Sequence, residues 1–128
     1  MKIEEAIMSR AIFSGFVMYD REKMATRVRR LEFKDKKVVL DLVHPPEDGD
    51  PALHFSGVAE LQANGSYKTS RKRLTDESGV DLANGWGAQI TFKIEGENSY
   101  ELKIEGEWID FEEGEYPFVG LLHSDSLT

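Results

Sequence analysis

The histidines are the first residues to consider for chemistry, because imidazole serves as a general base or a metal ligand near neutral pH. His44, His54 and His123 do not have the spacing of a zinc site, although the first two flank the acidic segment Glu47-Asp48-Gly49-Asp50. That segment lacks the ligand pattern of an EF-hand, and no Gly-x-Ser-x-Gly motif or phosphate-binding glycine loop occurs. The absence of cysteine excludes thiolate sites and disulfides. We therefore expect neither a metal nor a cofactor, and an enzyme is the least favoured function class.

Aromatic side chains provide a second kind of candidate site. Successive side chains of a strand point to opposite faces, and the spacing of the aromatic residues places them on the inward face of a barrel. An eight-stranded barrel is filled by its own side chains or holds one small ligand. These aromatics therefore either fill the core or line a ligand site. The predicted ligand-binding residues are Tyr67, Arg71, Trp86, Phe92, Tyr100 and Trp108, with Phe55 on the same face.

Arg71 belongs to a segment, residues 66–74, that is unusually polar for a strand. If Tyr67 points inward, alternation takes Thr69, Arg71 and Arg73 inward as well, so that guanidinium groups near the barrel mouth could hold an anionic ligand. The alternative is an exposed edge strand whose positive charges discourage aggregation. Both interpretations stay open from the sequence.

Acidic residues provide the third candidate site, a surface for a protein partner. The formal charge is −8, and it is unevenly distributed: residues 1–73 contain 14 basic and 11 acidic residues, whereas residues 74–128 contain 2 and 13. This balance argues against a nucleic-acid partner. An acidic face would speed association with a basic protein, as in an inhibitor or immunity protein, or would only keep the surface solvated. The residues of this alternative partner site are Glu105, Glu107, Asp110, Glu112, Glu113 and Glu115.

The elements that must position these residues are β-strands. Apolar and polar residues alternate over 86–94 and 100–108, which predicts two half-buried strands joined by a turn at residues 95–99. A type I′ turn at Asn64-Gly65 is predicted to join residues 52–62 to 66–74, and a tight turn at Asp35-Lys36 to join residues 24–34 to the apolar run that follows. Residues 10–19 and 115–123 complete eight strands. The proline- and glycine-containing segments 44–51 and 75–85 are predicted loops.

Two further features bear on closure of the sheet. Gly15, Gly57, Gly106 and Gly120 each have an apolar residue two positions before and two positions after them inside a predicted strand, where glycine permits the sharp coiling that a closed barrel requires. The second strand contains Arg27, Arg29 and Arg30, and its Val28 does not share one alternating set with Leu31 and Phe33, which predicts a β-bulge and leaves the inward face open. We expect surface ion pairs from these arginines.

An eight-stranded meander resembles the lipocalin-like barrels in outline, and Gly106-Glu107-Trp108 is similar to their Gly-x-Trp signature. In those barrels the signature belongs to the first strand, whereas here it lies near the seventh, so we assign the chain to no family. Ile3 and Ile7 are one helical turn apart, which indicates a short helix over Lys2 to Met8 covering one barrel mouth. The acidic N-terminal residues and the absence of a long apolar run predict a cytoplasmic protein without a membrane span.

The sequence thus predicts a single all-β domain over residues 1–128, an up-and-down barrel of about eight strands, with a two-sheet sandwich as the alternative. The favoured function is a non-enzymatic barrel that holds a small, partly apolar ligand. The alternative function is an acidic module that binds a basic protein. Monomer and homodimer stay open.

Overall fold

The computed structural model describes residues 12–19, 25–34, 36–45, 52–76, 78–82, 87–98, 101–110 and 114–124. These residues form nine strands and no helix. The predicted helix over Lys2 to Met8 lies outside the described residues. The strands are β1 (Ile12–Tyr19), β2 (Ala25–Lys34), β3 (Lys37–His44), β4 (Leu53–Leu61), β5 (Tyr67–Thr69), β6 (Lys72–Arg73), β7 (Gly87–Asn98), β8 (Glu101–Asp110) and β9 (Gly114–Ser124).

All strand pairings are antiparallel, and the sheet closes on itself. Apart from β5 and β6, which do not pair with each other, each strand pairs with its neighbours in the sequence; β1 also pairs with β9, and β5 pairs with both β4 and β7. Strands β5 and β6 together occupy one position in the wall. The predicted eight-stranded up-and-down barrel is confirmed, and the alternative of a two-sheet sandwich is wrong.

The interior is apolar because each strand alternates between buried and solvent-facing residues. In β3, for example, Val38, Leu40 and Leu42 are buried, whereas the residues between them lie on the outer face and are only partly buried. Strand β8 repeats the pattern with Leu102 and Ile104. The buried residues of all these strands therefore belong to one core cluster inside the barrel. Its largest fully buried side chains include Phe13, Phe55, Phe92, Leu31, Leu40, Leu74, Ile90, Leu102, Ile104 and Leu122.

Closure depends on glycines at which neighbouring backbones approach closely. A Cβ atom at Gly106 would lie 2.1 Å from the carbonyl oxygen of Thr91 on β7, and one at Gly120 would lie 2.2 Å from the carbonyl oxygen of Phe16 on β1. No other residue can occupy either position without moving the adjacent strand. The prediction that these glycines favour closure is consistent with this geometry. Gly57 differs, because a Cβ there would meet only side-chain atoms, at 3.2 Å.

The predicted bulge in β2 is confirmed. Val28 pairs with Leu42 and Arg30 with Asp41, so Arg29 is an extra residue in β2. The insertion brings both Val28 and Leu31 to the buried face.

The hairpin between β4 and β5 is present, but its turn type was predicted wrongly. The amide of Gly65 donates to the carbonyl of Gln62 at 3.0 Å, which makes Ala63 and Asn64 the central residues of the turn. Gly65 follows with a φ of 87°, and the amide of Gln62 then donates to the carbonyl of Ser66. This is a three-residue hairpin loop in which only the glycine must adopt positive φ.

We predict that Gly106→Ala destabilises the fold strongly. The new methyl group would overlap the backbone of β7, and overpacking of this kind costs about 1–3 kcal/mol. Urea unfolding followed by circular dichroism measures the loss. Gly57→Ala is the matched control, because its methyl group would meet side-chain atoms of Lys72 and Phe55 at 3.2 Å rather than backbone, and these need to move by only a few tenths of an ångström. Equal stability losses in the two variants would contradict the importance of the close approach at Gly106.

Candidate functional site

The two ends of the barrel differ in their connections. At one end, here called the hairpin end, short connections join β2 to β3, β4 to β5 and β7 to β8. At the other, here called the loop end, β1, β3, β6 and β8 end, and the two longest connections, 45–52 and 74–86, leave β3 and β6 there. A functional site built from loops and strand ends therefore belongs at the loop end.

The hairpin-end interior is filled by aromatic rings. Tyr67 stacks on Phe92 with ring centroids 5.7 Å apart and contacts Phe33 edge to face at 6.5 Å. Phe33 in turn contacts Phe13 edge to face at 6.5 Å. This row crosses the barrel from β1 to β7. Two of the predicted ligand-binding residues, Tyr67 and Phe92, thus lie within a packed row of rings, and burial raises the pKa of the Tyr67 hydroxyl.

The loop-end interior is also apolar, but it is less completely covered. Phe55 on β4 and Trp108 on β8 meet edge to face with centroids 6.0 Å apart, although their strands are not neighbours in the sheet. Around them, Leu53, Leu82 and Tyr116 pack against the core while staying partly exposed. Apolar side chains that are only partly covered at a barrel end are typical of an entrance to a small-molecule site. Trp86 and Tyr100, also predicted to bind ligand, lie outside the described residues.

A polar pair also belongs to the loop-end interior. Thr26 is fully buried, and its hydroxyl is hydrogen-bonded to Nδ1 of His44 at 2.8 Å. Both side chains face the interior, as do those of Val28 on β2 and Leu42 on β3. The pair places hydrogen-bonding groups in an otherwise apolar region, as a small-molecule site requires for orientation of its ligand.

The inward-facing alternation that begins at Tyr67 does not continue regularly past Thr69. Lys68 pairs with Thr91 and Lys72 with Ala88, so the segment from Lys68 to Lys72 contains one residue more than its partner. Thr69 stabilises this bulge, since its hydroxyl accepts from the amide of Ile90 at 3.0 Å and its carbonyl accepts from the side chain of Gln89.

The bulge shifts the inward-facing set by one residue. Lys72 is paired with the buried Ala88 and Leu74 is fully buried, so the inner face passes through residues 72 and 74, although Lys72 is exposed like Arg71 and Arg73. Alternation therefore does not bring Arg71 and Arg73 inward, and the other interpretation, exposed positive charges, describes them. Leu74 gave the signal that was missed: it is the only apolar residue after Tyr67 in this segment, and its burial forces the shift.

The acidic residues of the alternative site do not form an unbroken acidic face. Glu105, Glu107 and Glu115 are exposed and Asp110 is partly buried, while Glu112 and Glu113 lie outside the described residues. Lys103 lies between Glu101 and Glu105 on the same face of β8 and forms an ion pair with Glu105 at 3.6 Å. Lys93 of β7 is the cross-strand neighbour of Glu105. Lysines thus alternate with the acids on this part of the outer wall.

Beside these acids lies an apolar patch on the outer face of β1 and β9. Phe16 pairs with Leu121 and Met18 with Val119, and all four are exposed, Phe16 by 55%. We call these four residues the outer apolar square. Glu105 is the cross-strand neighbour of Val119 on its other side. Contiguous exposed apolar side chains of this kind mark interaction surfaces.

Arg29, Asp41 and His54 connect β2, β3 and β4 on the outer wall. Arg29 donates two hydrogen bonds to the carboxylate of Asp41, at 3.1 and 3.2 Å, and Nε2 of His54 lies 2.8 Å from Oδ1 of the same carboxylate. Burial tends to raise the pKa of Asp41, but the hydrogen bonds from Arg29 and His54 outweigh it and leave this pKa below its ordinary value. The group lies on a strand face rather than in a cleft, and its geometry is that of a structural cross-strand ion pair.

Metal-binding groups and membrane helices are both absent from the described part of the chain. No three histidine, aspartate or glutamate residues there are placed to hold a metal ion together. The same residues include no helix with the length and hydropathy of a membrane span.

Comparison with known proteins identifies the fold but no family. No protein-family model and no curated protein sequence matches the chain. Among solved structures, it is similar to bovine odorant binding protein complexed with its natural ligand, at 16% identity and a TM-score of 0.61, over 92% of this chain and 71% of that one. Aphrodisin, a sex pheromone from female hamster, matches at 10% identity and a TM-score of 0.54, over 91% and 73% of the two chains.

A deswapped triple mutant of bovine odorant binding protein also matches, at 15% identity, with a TM-score of 0.54, over 93% of this chain and 72% of that one. These likenesses are of fold, at sequence identities too low to carry function. They agree with the resemblance to lipocalin-like barrels in outline.

We predict that Asp41→Asn makes folding stability less sensitive to acid. A carboxyl group whose pKa is lower in the folded than in the unfolded protein stabilises the fold above its unfolded pKa, and this stabilisation is lost as the pH falls through the folded pKa. The wild-type free energy of unfolding should therefore fall more than that of the variant between about pH 6 and about pH 3, as measured by urea denaturation.

Glu60→Gln is the matched control for this measurement. Glu60 forms an exposed ion pair with Lys37 at 3.6 Å on the same part of the outer wall, and an exposed pair contributes little. If Asp41→Asn and Glu60→Gln alter the pH dependence equally, the hydrogen bonds of Asp41 have no special role.

Proposed function

We propose that this protein is a non-enzymatic binding protein that holds a small, partly apolar ligand in the loop-end half of its barrel. The observation that carries the proposal is the interior of that half, where Phe55 and Trp108 meet between partly exposed apolar side chains. The hairpin end, in contrast, is closed by the row of rings from Phe13 to Phe92. A ligand therefore enters at the loop end and lies against Phe55 and Trp108.

The polar groups of the loop-end half suit a ligand that also carries a hydrogen-bonding group. Thr26 and His44 form a hydrogen-bonded pair within the inward-facing set, so a bound molecule with one polar group can exchange hydrogen bonds with them. The likeness in fold to an odorant binding protein crystallised with its natural ligand supports the same class of function. The predicted contribution of Trp86, which directly precedes β7, remains part of this proposal, whereas that of Tyr100, in the short connection between β7 and β8, does not.

We predict that a neutral fluorescent probe, N-phenyl-1-naphthylamine, binds to the protein and quenches Trp108. Phe55→Leu should weaken binding about three- to tenfold because it removes part of the apolar contact surface. Fluorescence titration measures the dissociation constant. Phe92→Leu is the matched control: Phe92 is equally buried but lies in the hairpin-end row, so its loss should lower stability and leave probe affinity unchanged. Failure of the wild-type protein to bind the probe contradicts the proposal.

A second candidate function is binding of a basic protein partner through the outer wall. The observation in its favour is the outer apolar square beside Glu105, because protein interfaces combine an apolar centre with a charged rim. The lysines between the acids make this wall less acidic than the sequence suggested. The ligand-binding proposal therefore has the stronger support.

We predict, for this second candidate, that cross-linking in an extract of the native host joins the wild-type protein to a basic polypeptide. A variant carrying Phe16→Ser and Leu121→Ser should lose the cross-linked product, because the apolar centre of the interface is removed. Val80→Ser, at an exposed apolar residue outside the square, is the control and should retain it. Mass spectrometry of the product decides the outcome, and a basic partner retained by the double variant would exclude this surface.

A further inference from the structure

The barrel wall has a local break between β4 and the segment that follows β5. Ala59 pairs with Thr69, and the next contact toward the loop end is the bridge between His54 and Thr75. Four residues of β4 thus face five residues, 70–74, across this stretch. Within the described residues, β6 forms its ladder with β7 alone. The backbone of residues 55–58 therefore has no ladder pairing on this side, although β4 and β6 remain in contact; we call this unpaired stretch the gap in the wall.

The side chain of Lys72 crosses this gap. Lys72 lies on the inner face, opposite Ala88, and its ammonium group donates a hydrogen bond to the carbonyl of Ser56 on β4. Its aliphatic part passes over Gly57, since a Cβ atom there would lie 3.2 Å from Cδ of Lys72. Such a Cβ would be equally close to the ring of Phe55, so the lysine passes beside the loop-end aromatic pair.

The ammonium group of Lys72 has no acidic partner in the described part of the chain. The ion pairs there involve other cations, and the carbonyl of Ser56 satisfies one of the three donors that a lysine carries. A cation held by a neutral acceptor, at the margin of an apolar interior, is well suited to an anionic group on a ligand whose apolar part lies inside.

We propose that Lys72 binds the carboxylate of an amphiphilic ligand, and that the gap in the wall between Phe55 and Val58 is where this head group sits. This inference rests on the proposed function, because the ligand's apolar chain occupies the loop-end half against Phe55 and Trp108. The carboxylate replaces or joins the carbonyl of Ser56 as the acceptor for the lysine. Gly57 leaves the room that the lysine side chain needs to reach it. The ligand class is thus a monocarboxylic acid with an apolar tail.

The test compares dodecanoic acid with dodecanol, which has the same tail and no charge, by displacement of the neutral probe at a pH where the acid is ionised. The wild-type protein should bind the acid about tenfold more tightly than the alcohol. Lys72→Met should abolish this preference while leaving dodecanol binding unchanged, and Lys72→Arg should preserve it. Lys68→Met is the matched control. Lys68 is an exposed lysine on β5, which shares one position in the barrel wall with β6, but its side chain points outward.

The outcomes separate this inference from the proposed function. Binding of both compounds without a preference for the acid, or a preference that survives Lys72→Met, overturns the role of Lys72 and leaves the ligand-binding barrel intact. An equal loss of preference in Lys68→Met also overturns it, since general surface charge then explains the effect. If dodecanoic acid, dodecanol and the neutral probe all fail to bind, the proposed function itself is overturned. Circular dichroism of each variant confirms that it is folded.

Discussion

The pairing of β1 with β9 is the constraint on which the rest of this structure depends. It joins the two ends of the meander over the stretch from Phe13 to Tyr19, and it removes the free edges that an open sheet would have. The strands must coil strongly to meet, and they do so where Gly106 and Gly120 let neighbouring backbones approach more closely than any side chain would allow. An interior exists only because the sheet closes, and every candidate ligand contact lies in that interior.

Closure also creates the difference between the two ends. Short hairpins bring the strands together at one end, where the rings of Phe13, Phe33, Tyr67 and Phe92 pack across the barrel. At the other end the longer connections begin, and apolar side chains are covered less completely. A barrel sealed at one end by its own aromatic residues needs no further closure there. The side chains proposed to contact a ligand therefore lie toward the loop end.

The break beside β6 shows how a local irregularity can introduce specificity into a regular barrel. A single additional residue shifts Lys72 to the inner face and separates β4 from the segment opposite it. The same device in β2 has a different consequence, because there the additional residue, Arg29, stays on the outer wall and bonds to Asp41. Bulges of this kind change which side chain faces inward without altering the number of strands.

The sequence by itself determined the fold class, the order and approximate bounds of the strands and the bulge in β2. These follow from local alternation, and three apolar residues of β2 were enough to show that it contains a bulge, although only the register of the structure identified Arg29 as the extra residue. The segment 66–74 was harder, because apart from Tyr67 it has a single apolar residue, Leu74, to fix its register. Only the tertiary structure decided that Lys72 and not Arg71 faces inward. The same holds for the pairing of Asp41 with His54 and of Phe55 with Trp108, since contacts between distant strands depend on register and closure, which local patterns do not encode.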